Sequence, residues 1–194
     1  MDDLNRLRYS AIGSAALLLT VGSGALAQNV SFYGTFDGGV TSTNNGVATS
    51  TGVSSGILGS SRLGAKGSTN LADGVTGIFA LEIGFESDTG FLKTYSGNPA
   101  TATASSSGGT SGTGFNRRSF AGVETNYGTL TLGRDYTPIY YANLESDIFK
   151  FGLYGNTQTT VPLAGGSEKF ARVSNAIFYT SPKLGGLTGR LAYS

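Results

Sequence analysis

Val75-Thr-Gly-Ile-Phe-Ala-Leu-Glu-Ile-Gly-Phe-Glu86 is the stretch whose reading decides the fold. In an extended chain Val75, Phe79, Leu81, Ile83 and Phe85 share one side, and Thr76, Ala80, Glu82 and Glu86 share the other. A repeat of two belongs to a strand with one apolar and one polar face. The same alternation recurs on either side. Over 30–40, Val30, Phe32, Phe36 and Val40 oppose Ser31, Tyr33, Thr35 and Asp37; over 60–68, Leu63 and Ala65 oppose Arg62, Gly64 and Lys66. Further strands are expected at 115–125, 128–134, 172–180 and 187–194, about seven in all. No stretch after Ala27 keeps a helical period, so the chain reads as all-β.

The connections alternate in length. Tight turns rich in Gly, Asn and Pro fall at 70–74, 125–128 and 181–186, whereas 41–59, 87–114 and 135–169 are long. Short turns at one rim and long loops at the other are the pattern of an outer-membrane barrel, whose tilted strands need about 9–11 residues each. Period two alone does not separate such a barrel from a soluble sandwich, because both alternate. Which face meets water does. Segment 98–114, a run of Ala, Thr, Ser and Gly, reads as a mobile surface loop. Phe32, Tyr33, Tyr127, Phe178 and Tyr179 lie near strand ends, where barrels carry aromatic girdles.

With 13 Lys+Arg against 12 Asp+Glu in 194 residues, no basic field exists to recruit nucleic acid. The absence of both Cys and His removes thiol nucleophiles, histidine bases, Cys/His zinc sites and disulfides together. Carboxylate chemistry and all-oxygen metal sites stay open on these grounds, but no catalytic residue, metal site or cofactor is assigned. A barrel enzyme using Glu82 and Glu86 lacks any nucleophile-base pair. Residues 1–27 read as a cleaved export signal: Arg6 and Arg8 precede an apolar core at 11–21, and Ala25-Leu-Ala27 forms a small-x-small site. The remainder, 28–194, reads as one domain.

Gly128-Thr-Leu-Thr-Leu-Gly-Arg-Asp-Tyr136 is an alternating strand that ends on Arg134 and opens into the loop 135–169. Loops of this length are uncommon unless functional, and this one carries Pro138, Glu145, Asp147 and Lys150. A cation delivered to a loop bearing carboxylates suggests opposed charges across an opening.

Ser61-Arg-Leu-Gly-Ala-Lys-Gly-Ser68, Leu81-Glu-Ile-Gly-Phe85, Phe115-Asn-Arg-Arg-Ser-Phe-Ala-Gly122, Tyr127-Gly-Thr-Leu-Thr-Leu-Gly-Arg-Asp-Tyr136 and Asn175-Ala-Ile-Phe-Tyr-Thr-Ser-Pro182 follow one another as in Gram-negative general porins of beta-proteobacterial type, which the chain resembles over 30–194. The resemblance implies a trimeric transmembrane barrel of roughly 16 strands, of which this chain would be the N-terminal half, a fragment holding about seven strands. It also implies outer-membrane location, contact with outer-membrane lipid and lipopolysaccharide, and passive diffusion of ions and small hydrophilic solutes. The family's constriction has a basic wall, matched here by Arg62, Arg117 and Arg134 with Lys66 nearby. Its acidic side comes from an inward-folded third loop, matched by 135–169 with Glu145 and Asp147.

Arg117 and Arg118 are neighbours, so alternation would turn only one to the lumen, and the family pattern favours Arg117. Arg134 has the alternative of capping a strand end at the membrane rim, and Lys66 that of a solvated charge without effect on selectivity. Glu82, Glu124 and Arg172 are candidate lumen-facing pairing partners, and Asp37 a weaker candidate for the acidic side. Lys150 stands where cation-preferring relatives keep a second carboxylate, which points to weak anion preference. The competing reading is a secreted β-sandwich that binds a glycan or surface partner through its long loops.

Overall fold

The computed structural model describes residues 29–93, 114–152 and 171–194. The expected export signal, nearly all of the low-complexity segment and residues 153–169 of the long loop lie outside the described residues. Seven strands form one antiparallel sheet in the order β1-β4-β5-β6-β7-β8-β9. They are β1 (Asn29–Thr35), β4 (Arg62–Ala72), β5 (Val75–Gly84), β6 (Arg118–Thr125), β7 (Gly128–Tyr136), β8 (Arg172–Thr180) and β9 (Arg190–Tyr193). Apart from β1, which pairs with β4, each strand of this sheet pairs with its successor in the chain.

Three features depart from the expected strands and loops. The first strand leaves the sheet after Thr35, and the connection to β4 contains a separate hairpin, β2 (Gly38–Asn44) and β3 (Thr49–Ser55). Asp37 closes its base: one carboxylate oxygen accepts from the Leu58 and Gly59 backbone N–H groups. The loop after β7 holds a helix, α1 (Pro138–Ser146), where irregular chain was expected. Thr137 caps it by accepting from the Tyr140 N–H at 3.2 Å, and Pro138 supplies a preset first turn. The connection from β8 to β9 spans 181–189, longer than the tight turn expected at 181–186, and the last strand starts at Arg190 rather than Leu187; the rest of the rim asymmetry is as read from the sequence. Turns of two residues join β4 to β5 and β6 to β7, while β5 to β6 and β7 to β8 are joined by long segments.

The register assigns every side chain of the sheet to a face. Glu82 stands opposite Gly64 on β4 and Arg118 on β6, and Ala80 opposite Lys66 and Phe120. Ser31, Tyr33 and Thr35 pair with Lys66, Gly64 and Arg62, which places them on the same polar face. The other face carries Phe32, Leu63, Leu81, Ile83, Leu130, Leu132, Ile177 and Leu191. Gly133 holds the β6–β7 contact close. Its φ is 133°, and a Cβ there would lie 2.2 Å from the Ser119 carbonyl oxygen.

Burial is inverted relative to a soluble protein. The buried apolar residues are only Ala80, Ala171, Ala176 and Phe178 among those described, whereas Glu82, Arg117, Asp135, Asp147 and Arg172 are all buried. Phe32 is 85% exposed, and Leu63, Leu132 and Leu191 are exposed too. A sandwich would bury that apolar face against a second sheet. Here the second described sheet is the Ser- and Thr-rich β2–β3 pair, whose Val40 and Val53 are themselves exposed. Hydrocarbon is the medium such a face suits. Among the described residues no helix is long and apolar enough to cross a membrane.

The chain is therefore expected to need an apolar solvent to fold. In buffer free of detergent it should lack the far-ultraviolet circular dichroism of a β-sheet, and gain it on transfer to micelles; full β signal and a cooperative melt in plain buffer would contradict the lipid-facing assignment.

Candidate functional site

Glu82, near the end of β5, sits on the polar face with 4% of its surface exposed. An isolated carboxylate there would be strongly disfavoured. Arg117 answers it: its Nε donates to Glu82 Oε1 at 2.6 Å, and its backbone N–H donates to the Glu82 carbonyl at 3.1 Å. The Tyr33 hydroxyl donates to Oε2 at 2.9 Å, and Arg62 Nε lies 3.8 Å away. The backbone contact sets Arg117 just before β6 begins, where strict alternation does not yet apply. Arg118, the first residue of the strand, therefore also reaches the polar face. Its guanidinium forms a two-pronged bridge to Asp135 at 2.8 and 3.0 Å. Both arginines contribute, which corrects the either-or expectation for that pair.

Tyr136 joins the next strands to this group. Its hydroxyl oxygen accepts from Arg117 Nη2 at 2.6 Å and from Arg172 Nη2 at 2.8 Å. The Arg172 guanidinium lies 4.3 Å from its ring centre, and the ring stacks on Tyr140 of α1 at 4.1 Å. Helix α1 thus lies over the polar face. Between them is a cavity of about 930 Å³ bordered by Arg62, Arg117, Arg118 and Arg172 from the sheet and by Tyr140, Tyr141, Leu144 and Lys150 from the α1 segment. Among the described residues its lining holds five cations, these four arginines and Lys150, against two carboxylates, Asp37 and Glu82. Both carboxylates are already engaged.

The candidates read from the sequence separate into groups. Arg62, Arg117 and Lys150 border the cavity, and Glu82 and Arg172 are paired on the polar face as expected. Lys66 shares that face but sits four residues further along β4, exposed and 5.8 Å from the Tyr33 ring centre. Glu124 is exposed on the same face near the β6–β7 turn. Arg134 departs from the expected wall. The ladder sets it on the side of Leu130 and Leu132, where it donates to the Asn116 carbonyl and to Ser174 Oγ, both at 2.7 Å.

Asp147 and Glu145 also depart from an acidic side facing the arginines. Asp147 is buried, and its carboxylate accepts from the backbone N–H groups of Phe149 and Phe151 at 2.9 and 3.2 Å. That fixes a turn in which Lys150 and Phe151 hold left-handed φ angles of 50° and 65°. Glu145 is exposed and 3.6 Å from Lys150, whose ammonium also donates to the Leu144 and Glu145 carbonyls at the end of α1. So the loop presents a cation to the cavity. Asp135, Tyr33 and Tyr136 were not singled out in the sequence as site residues, and Arg118 entered only as the alternative to Arg117. For Arg118 and Asp135 a signal existed, since long charged side chains within an amphipathic strand must find partners.

Burial pushes the Tyr140 hydroxyl well above the ordinary tyrosine value of 10, helped by neighbouring Tyr136. Burial, and next the Asp135 carboxylate, push Tyr141 up to about 12. Among the described residues no group of three or more His, Cys, Asp or Glu is placed to hold a metal ion. The arrangement can attract anions and orient water between a fixed cationic wall and a tyrosine-rich helix.

A family model described as Gram-negative porin matches residues 13–194. Outer membrane porin protein 32 of Delftia acidovorans is 27% identical over 186 residues, which cover 93% of this chain and 48% of that protein. Among solved structures, an anion-selective porin from Comamonas acidovorans matches with a TM-score of 0.66 at 26% identity, covering 86% of this chain and 46% of that one. OmpT, an outer membrane protein of Vibrio cholerae solved in its trimer form, matches with a TM-score of 0.52 at 18% identity over 85% of this chain and 40% of that one, a likeness of fold alone. The chain spans about half the length of these relatives.

Two outcomes are expected from this geometry. Glu82→Gln leaves the Arg117 charge buried without its carboxylate, and urea unfolding in micelles should show a loss on the order of 3 kcal/mol. Tyr141 keeps its proton to higher pH when folded than when unfolded. Its contribution to stability is thus whole below pH 10 and lost as pH climbs through about 12; Tyr141→Phe should flatten part of that decline in an alkaline unfolding series.

Proposed function

Since the chain belongs to the Gram-negative porin family, we propose that it builds wall and constriction of a water-filled outer-membrane channel through which ions and small hydrophilic solutes diffuse passively, with a preference for anions. The family is one of channels rather than enzymes, and its place is the outer membrane. The observation that carries the anion preference is the lining of the 930 Å³ cavity, where five cations stand with two carboxylates; Asp135 and Glu145 offset Arg118 and Lys150 from just outside that lining, and a positive excess remains. In a narrow passage with low-dielectric walls, each unbalanced charge weighs far more than in bulk water.

Arg62, Arg117, Arg118 and Arg172 form the wall in this reading, and Lys150 faces them from the loop. Lys66, on the polar face away from that cluster, and Arg190, whose guanidinium lies 4.7 Å from the Tyr141 ring centre, extend the positive surface along the passage. Glu145 lies beside Lys150, and Asp147 holds the turn that presents Lys150 to the cavity. The anion-selective porin from Comamonas acidovorans supports the same sign of preference. Lipid and lipopolysaccharide against the apolar face, assembly as a homotrimer and export by the segment 1–27 complete the proposal.

The test is the reversal potential of the intact protein in a planar bilayer under a potassium chloride gradient. Chloride preference is expected, weakened by Lys150→Glu, which reverses the loop's contribution. Cation preference in the parent protein would refute the reading.

A further inference from the structure

We infer that Tyr136 is a positioning residue for ion selectivity: its hydroxyl clamps Arg117 and Arg172 together at the cavity, so that the pair acts on a passing anion as one concentrated charge. This rests on the channel reading above and deepens it. Two guanidinium groups that bond to one oxygen at 2.6 and 2.8 Å are forced into each other's neighbourhood. Like charges some 5 Å apart repel appreciably even at an effective dielectric constant of about 20. They are held there by specific bonds. Glu82 restrains Arg117 from the far side, and the Tyr136 ring carries the Arg172 guanidinium at 4.3 Å.

Tyr136 is itself fixed from three directions. Its backbone N–H donates to Asp135 Oδ1 at 2.8 Å, its ring stacks on Tyr140, and its backbone pairs with Arg172 at the end of the β7–β8 ladder. The hydroxyl is therefore a rigid post between sheet and helix, with an acceptor oxygen pointed at the two arginines. Through that one oxygen the end of β7 is tied both to the start of β8 and to the residue that leads into β6. Without it Arg117 keeps its bond to Glu82, but the two guanidinium groups no longer share an oxygen and their repulsion moves them apart, which weakens the field in the opening.

Tyr136→Phe removes the oxygen and keeps the stacked ring. Moving one unit charge from about 5 to about 8 Å from a passing ion, at an effective dielectric constant of about 40, changes the ion's weight about three-fold. Chloride loses that factor and potassium gains it, so the chloride-to-potassium permeability ratio of the intact channel should fall about nine-fold relative to the parent, with the circular dichroism of the fold retained. A ratio equal to the parent's would overturn the inference, even if stability fell. If Tyr136→Phe does not fold, Tyr136→Trp takes its place: it keeps an aromatic ring against Tyr140 but offers no acceptor oxygen, so the same fall is expected, and an unchanged ratio overturns the clamp. The effect is read as a shift from the parent's ratio. A cation-preferring parent thus defeats the proposed anion preference separately, while the presence or absence of the shift still judges Tyr136.

Discussion

A carboxylate that must not be left alone organises the polar face. Glu82 sits at the centre of four strands' worth of neighbours, with Gly64 on one side and Arg118 on the other. Because it is buried, its charge draws Arg117, Tyr33 and Arg62 toward it. Those contacts hold the start of β6, and β6 delivers Arg118 to Asp135. Asp135 in turn fixes the backbone of Tyr136. The order of dependence runs across the sheet, from β5 outward to α1. Such pairs do not by themselves make a protein stable, since desolvation offsets much of their attraction. What they supply here is a definite arrangement of positive charge.

Much of the fold was legible in the sequence because period two is a strong signal. Residues 75–86 announce both faces, and the register confirms each of Leu81, Ile83 and Glu82 where alternation put it. Arg62 and Lys66 share parity with Glu82's neighbour Gly64, so their common face was readable as well. Arg134 was readable in the same way and pointed elsewhere: it has the parity of Leu130 and Leu132, and the ladder keeps it there. The resemblance to a family wall overrode a local rule that the structure obeys.

Other parts were obscured for physical reasons. Arg117 lies outside the strand that alternation describes, so its direction is set by a tertiary bond to Glu82. Asp147 looks from its sequence neighbours like a free charge in a loop, yet an aspartate two residues before an N–H commonly turns back onto its own backbone. Helix α1 is nine residues long and has no one-sided apolar stripe, which leaves only Thr137-Pro138 as its marker. The double role of Tyr136 depends on Arg117 and Arg172, distant from it in sequence by 19 and 36 positions. No local pattern encodes that meeting.

The strict division of charge between the two faces also bears on how the sheet is assembled. A slip of one residue in any ladder exchanges the faces of the strand that slipped. For β5 or β6 it would carry Glu82 or Arg118 into hydrocarbon, at a penalty of roughly 2–4 kcal/mol for a cation at mid-membrane, and would strand their partners. Apart from β1, each strand meets its neighbour directly after it in the chain, so this penalty acts as soon as each hairpin closes. The charges of the polar face thereby also penalise misregister, so that the arrangement of cations and the alignment of the strands enforce one another.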